Sequence, residues 1–215
     1  MSPRPYRLGR REASVEETRE KVIAAAHEVF SEAGFYRANL DDVAKKAGVA
    51  RATVYYQFKS KFGLLEATID HVLEHAPGVE RMRKSREHPD AVAGMRIYIS
   101  EVCKFWAHDD VFFRNVIGLA AVDPEAAKAV DQYDFRRREQ LVWLAKRLED
   151  HRKLRAGISQ KQAIDTIWLL SSFRSFDHLR TRCGLSVKRS AALLQGLADG
   201  VLVPSARAKA RASGA

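Results

Sequence analysis

Cysteine is scarce: Cys103 and Cys183 are the only two in 215 residues. A pair so sparse and so far apart fits neither a disulfide scaffold nor a four-ligand zinc site, and both are expected as reduced thiols behaving like small hydrophobes. Long apolar runs are also missing. The longest, Val116 to Val122, already contains Gly118, far short of the roughly 20 residues of a membrane-spanning helix. The opening stretch "MSPRPYRLGRRE" is basic but leads into no apolar segment, so it does not read as a secretory signal. No membrane association and a cytoplasmic location are expected. G-x-S-x-G, P-loop and Rossmann glycine patterns are absent too, so the chain is not expected to be an enzyme or to hold a cofactor, metal or catalytic residue.

What is there, first, is positive charge. The formal net charge is +10, which invites a nucleic-acid partner. Its distribution weakens the inference: up to Pro77, 12 Lys+Arg face 11 Asp+Glu, and beyond it 25 face 16. Local placement has to carry the case. Arg4, Arg7, Arg10 and Arg11 lie in a Pro-containing stretch, residues 1–13, expected as a flexible basic arm that is either solvated or seeks phosphates.

Second, helical periodicity runs throughout. Ser14-Val-Glu-Glu17 has the form of a capping box, followed by Val22, Ala26, Val29, Phe30 and Ala33 on one face, with Gly34 as the stop. Asn39 suits the cap of the next helix, whose apolar positions are Leu40, Val43, Ala44 and Ala47, and Gly48 ends it after about two turns. A third helix must start near Arg51, because "VARATVYYQF" holds no glycine or proline. Ser60 suits the cap of a fourth, through about Ala76, before Pro77-Gly78 breaks the chain. Further helices are expected over Pro89 to Ala107, Asp109 to Val122, Pro124 to Arg152, Ser159 to Arg182 and Ser186 to Leu202, with Asp123-Pro124 a strong start and Gly157 and Gly184 two stops. No alternating strand pattern and no repeat is found. The fold class expected is all-α, about nine helices, with a helix-turn-helix domain over 14–77, a helical effector and dimerisation domain over 78–203, and a disordered tail over 204–215.

Two short helices joined through a glycine turn make a helix-turn-helix, whose second helix lies in the major groove of double-stranded DNA. At about 100° per residue, placing Val54 and Phe58 inward turns Ala52 and Tyr56 to the opposite face, with Thr53 and Tyr55 on its flanks. Exposed tyrosines beside Thr53, Arg51 and Lys59 suit a surface where hydroxyls reach phosphates and rings meet sugars or thymine methyls.

The order "TREKVIAAAHEVFSEAGF", then "LDDVAKKAGVARATVYYQFKSK", from about Thr18 to Leu65, resembles the DNA-binding region of the TetR family of transcriptional regulators. The resemblance covers three helices and the start of a fourth, with the Gly-turn, Thr-x-Tyr and Phe-Lys-Ser-Lys elements in register. It implies phosphate contacts by Thr53, Tyr55 and Lys61, and base-edge contacts by Arg51, Ala52, Tyr56 and Gln57; Asn39 is counted with the DNA-facing set. Ala50 and Arg51 replace a frequent Ser-Lys, Ala52 a frequent Gly, Gln57 a frequent His and Gly63 a frequent Glu, so the operator is this chain's own. Gln57 has an amide suited to adenine and Arg51 a fork suited to guanine.

The same resemblance implies a homodimer on a palindromic operator, joined by the last two long helices, and a small-molecule effector bound in the later half. That half is rich in aromatics, and most of them are expected in the core. Trp106, Phe113, Trp143 and Trp168 are the candidate lining of an apolar effector cavity. Repression relieved by the effector is the expected role. Two other readings of the residues are open. His71-Val-Leu-Glu74-His75 has the H-x-x-E-H spacing of a zinc hydrolase, although a pattern this short arises easily among seven histidines. A non-specific architectural DNA-binding protein would use the basic excess without sequence preference.

Overall fold

Between Pro5 and Gly34 the chain holds no proline and is dense in Glu, Arg, Lys and Ala, all good helix formers. In the computed structural model, which describes residues 6–202 and their side chains from Ala13 onward, this stretch forms one helix, α1 (Tyr6–Ala33). It runs straight through Ser14, which is therefore not its cap. The Ser14 carbonyl instead accepts the Thr18 hydroxyl at 2.7 Å, and Glu17 pairs with Lys21 at 2.7 Å. The rest of the expected arm, residues 1–5, and the tail over 204–215 lie outside the described residues.

The described chain is all-α, as expected. After α1 come α2 (Leu40–Ala47), α3 (Arg51–Phe58), α4 (Lys61–His75), α5 (Val79–Ser85), α6 (Ala91–His108), α7 (Asp110–Ala120), α8 (Pro124–Asp150), α9 (Gln160–Leu170), α10 (Phe173–Thr181) and α11 (Val187–Ala198), with a 3-10 turn at Asp199–Val201. Extended pairing among the described residues is limited to one isolated bridge, Leu154 to Leu202. Eleven helices replace about nine for two reasons. Gly78, at φ 93°, starts the short α5 inside the expected hinge. The single helix expected from Ser159 to Arg182 breaks at Ser171-Ser172, where Ser172 Oγ accepts Ser175 N–H and begins α10.

Two compact units emerge. The first holds the chain up to His75 together with Val111–Val130. Val22, Ala26, Val29 and Phe30 of α1 are buried, as are Val43 and Ala44 of α2, Val54 and Phe58 of α3, and Leu64, Leu65 and Ile69 of α4. Lys46 on α2 reaches Glu28 at 2.5 Å and Glu32 at 3.3 Å on α1. Asn115 on α7 donates to the carbonyls of Phe30 and Ser31 in the last turn of α1 at 3.2 and 3.1 Å, the Phe30 carbonyl also accepting Gly34 N–H at 3.1 Å.

The second unit holds Ala76–Asp110 and the chain from Asp131. Met95, Ile99, Leu141, Leu144, Leu148, Ile167, Phe176 and Leu194 form its interior. α5 lies close on α6 because Gly94 has no side chain: a Cβ there would stand 2.5 Å from the Ser85 carbonyl oxygen. Arg147 on α8 donates to the carbonyls of Arg86 at 2.7 Å and Pro89 at 3.3 Å. No described helix is long and apolar enough to cross a membrane.

Asp90 caps α6 by accepting from Val92 N–H at 2.8 Å and Ala93 N–H at 3.2 Å. These donors, Ala93 first, hold its carboxyl below the ordinary value. The cap therefore stabilises fully above about pH 4, the unfolded carboxylate range, and is lost as pH falls through the lower folded value. Asp90→Ala is expected to lower the free energy of unfolding by about 1 kcal/mol at pH 7. Urea titrations at decreasing pH should show the gap to the parent closing in acid, while Asp90→Asn keeps most of the cap.

Candidate nucleic-acid interface

α2 ends on Gly48, at φ 67° and ψ 32°, a left-handed conformation that glycine adopts without a Cβ clash. Its N–H and that of Val49 return to the Ala44 and Lys45 carbonyls, so the chain reverses within three residues and α3 starts at Arg51. Ala50, at the cap, has no side-chain acceptor. The first turn of α3 thus keeps backbone donors and the positive end of the helix dipole for an anion such as a phosphate.

Val54 is fully buried and Phe58 nearly so, with the Arg19 guanidinium 4.8 Å over the Phe58 ring. The remaining face points outward as the periodicity requires: Tyr55 is 61% and Tyr56 77% exposed. Arg51 and Ala52 are exposed and Thr53 is half-buried. Lys59, at φ 64°, donates to the Tyr56 carbonyl at 2.6 Å and lies 4.7 Å over the Tyr56 ring, closing the far end of α3.

The other candidate residues are more engaged than spacing alone suggests. Arg51 Nη1 is 3.0 Å from Asp41 Oδ2, an exposed pair that a phosphate or base can displace at little cost. Asn39 Oδ1 already caps α2 by accepting Asp42 N–H at 2.8 Å, which leaves its amide hydrogens as donors. Gln57 is half-buried and its Oε1 has no hydrogen-bond partner, so bidentate pairing with a base requires the amide to swing outward. Lys61 Nζ sits 4.4 Å over the Phe35 ring and 3.4 Å from the Tyr36 carbonyl, and burial pushes its pKa down. Tyr36, in the turn before α2, is a further exposed aromatic. It is 64% exposed and donates to Asp123 Oδ2 at 3.4 Å; being in a turn, it has no periodic signature.

The H-x-x-E-H stretch lies on α4 as two stacked rings, His71 and His75, 4.3 Å apart. His75 Nδ1 is 2.9 Å from the His71 carbonyl oxygen, and burial, then His75, lower the His71 pKa. No group of three or more metal-ligating side chains occurs among the described residues. Cys103 is buried, which raises its thiol pKa to about 12 and keeps it protonated, whereas Cys183 is exposed.

The four aromatic candidates are not equivalent. Trp106 is buried and its Nε1 donates to the Ser171 carbonyl at 3.0 Å. Trp168 meets the same region through Arg137, whose Nη1 donates to the Trp168 carbonyl at 3.1 Å and Ser171 Oγ at 2.7 Å. Trp143 is 42% exposed, with the Arg147 guanidinium 5.2 Å over its ring. Phe113 is buried in the first unit beside Phe112. An open cleft of about 420 Å³ in the second unit is lined instead by Pro77, Gly78, Arg81, Glu101, Lys104, Ala107, His108 and Val187. There the buried Glu101 carboxylate holds Lys104 at 2.7 Å and Arg81 at 3.1 Å.

Residues 22–68, from α1 into α4, match the family model described as bacterial regulatory proteins, tetR family. The chain is 32% identical over 93 residues to the HTH-type transcriptional regulator TtgR of Pseudomonas putida, covering 43% of this chain and 44% of that one. The match thus spans less than half the length of that relative. With the HTH-type transcriptional regulator CymR of Pseudomonas putida it is 29% identical over 159 residues, 72% of this chain and 74% of the other. Among solved structures, NalD, the secondary repressor of the MexAB-OprM multidrug efflux pump in Pseudomonas aeruginosa, superposes with a TM-score of 0.70 at 22% identity, over 90% of this chain and 99% of that one. Residues 22–68 thus carry the tetR-family regulatory model over the turn and its flanking helices, and the all-helical fold is shared with the solved structures along most of the chain.

Proposed function

We propose that the chain is a transcriptional repressor that binds a palindromic operator as a homodimer and leaves it when a small, largely apolar effector binds. The observation that carries the DNA-reading part is the exposure of Tyr55 and Tyr56 on a helix anchored by Val54 and Phe58. Two large aromatic rings held in water on a short, rigid helix have no role in the core. They suit phosphate, sugar and methyl contacts in a major groove. Arg51 and Gln57 are the base-reading candidates, Thr53, Tyr55 and Lys61 the phosphate-binding ones, and Ala52 permits close approach; Asn39 adds its amide hydrogens beside them.

The homodimer reading is supported by an apolar surface on the second unit. Leu193 and Leu197, one turn apart on α11, are 44% and 53% exposed, and Leu169 on α9 is 63% exposed. A two-fold pairing of such faces buries them and fixes the spacing of two α3 helices, which demands half-sites one helical turn or a multiple apart. Effector release then needs a differential affinity of only a few kcal/mol between two arrangements. Trp106 and Trp168 support the effector site better than Trp143, which is open to solvent, or Phe113, which belongs to the first unit.

Selection from a random-duplex pool at physiological salt is expected to enrich a palindrome. Tyr56→Ala should weaken binding to it by roughly tenfold or more, as loss of a base-edge contact does, with no change in Tm because the ring is exposed. Binding that is salt-dependent but enriches no sequence would refute the operator reading. Leu193→Glu combined with Leu197→Glu is expected to give a folded monomer by sedimentation equilibrium, with operator affinity reduced at least tenfold.

A further inference from the structure

The break between α9 and α10 is held by side chains from other helices. Arg137 on α8 takes the Trp168 carbonyl and Ser171 Oγ through Nη1, and Trp106 on α6 takes the Ser171 carbonyl. Arg137 is only 5% exposed. Its Nε donates to Asp134 Oδ1 at 3.3 Å, and Nη2 stands 3.2 Å from that same oxygen as an ion pair. One oxygen shared in this way leaves Nη2 buried without a hydrogen bond of its own. Trp168 Nε1 is likewise buried and unpartnered, and the Arg137 guanidinium carbon lies 5.7 Å from the Trp168 ring centroid.

Both orphans are donors, one of them on a buried cation, in one neighbourhood of the second unit. Buried donors are normally satisfied, and leaving them unmade is costly. What the site wants is an acceptor. Asp134, the ion-pair partner, is 39% exposed and so partly screened by water, whereas an anion inside would face the guanidinium in a low dielectric. The surroundings are aromatic: the Trp106 ring meets Phe173 at 5.5 Å and Tyr133 at 6.1 Å, both edge-on. Burial raises the Tyr133 pKa, so its phenol remains a neutral donor.

We propose that this site takes a carboxylate-bearing aromatic molecule, its carboxylate on Arg137 Nη2, its ring among Trp106, Trp168 and Phe173, and Trp168 Nε1 donating to a second acceptor of the same ligand. The proposal deepens, and rests on, the reading of the second unit as effector-binding. Arg137 is then the residue that selects acids over their neutral derivatives.

The test uses the full chain and four probes, benzoate, phenylacetate, indole-3-acetate and 1-naphthoate, each against its own methyl ester, by calorimetry and tryptophan fluorescence. At least one acid is expected to bind roughly tenfold or more tightly than its ester, as a hydrogen bond to a charged partner provides. Arg137→Gln should bring that ratio close to one. Because Arg137 also braces the helix break, Trp168→Phe is a second variant: it keeps an aromatic side chain but removes the N–H together with the five-membered ring of the indole, and should weaken the acid several-fold in protein whose circular dichroism shows it folded. If no acid outbinds its ester, or if neither variant moves the ratio, the proposal is overturned. Operator binding separates it from the broader reading. A neutral ester that releases operator DNA equally from parent and Arg137→Gln sinks the carboxylate site and keeps the effector. An acid held by Arg137 that leaves operator binding untouched keeps the site and sinks the effector reading.

Discussion

The burial of Val54 and Phe58 is the constraint on which the candidate interface depends. α3 is only eight residues long, too short to be a stable helix alone. Its two apolar residues, four apart, contribute on the order of 1.5–3 kcal/mol each when fully buried, and they also set its rotation. Once they face inward, Tyr55, Tyr56 and Ala52 have no direction left but outward. Gly48 on one side and Lys59 on the other, both at positive φ, let so short a helix reverse direction at each end. The surface is thus chosen by the core beneath it.

Signals that are local in origin could be read from the chain. Asn39, Ser60, Asp123, Ser159 and Ser186 all cap the helices that follow, because a cap needs only a short polar side chain and the next few backbone N–H groups. Ser14 shows the limit: the same residue type is tolerated within a helix when its neighbours favour the helix on both sides. The break at Ser171-Ser172 was illegible for a different reason. Nothing in "LLSSF" forbids a continuous helix; Arg137 and Trp106, more than thirty residues earlier, stabilise the interrupted form by donating to its carbonyls.

Which side of a helix faces water was legible where the pattern is amphipathic and obscure where it is not. Leu193, Leu194 and Leu197 belong to one apolar cluster in the sequence, yet only Leu194 is buried. Trp106 and Trp143 are alike by composition, but one anchors a hydrogen bond in the interior and the other carries an arginine on an open ring face. Aromatic content in the later half therefore could not single out a ligand site. Orphaned donors, a property of three-dimensional neighbours, point to one instead.

Part of the positive charge in the later half is engaged in internal contacts. The later part of the chain holds most of the positive excess, yet many of its arginines are engaged within the second unit. Arg96 pairs with Asp199 at 2.7 Å, Arg138 with Asp165 at 2.6 Å, Arg147 holds two carbonyls ahead of α6, and Arg137 braces the α9–α10 break. Guanidinium groups, with several donors in a fixed plane, suit the bridging of helix ends that apolar packing leaves unsatisfied. The proposed interface on α3, by contrast, has little net charge and relies on tyrosine, a helix terminus and a few placed cations. The proposed DNA contact therefore depends on how eight residues are turned outward rather than on the net charge of the chain.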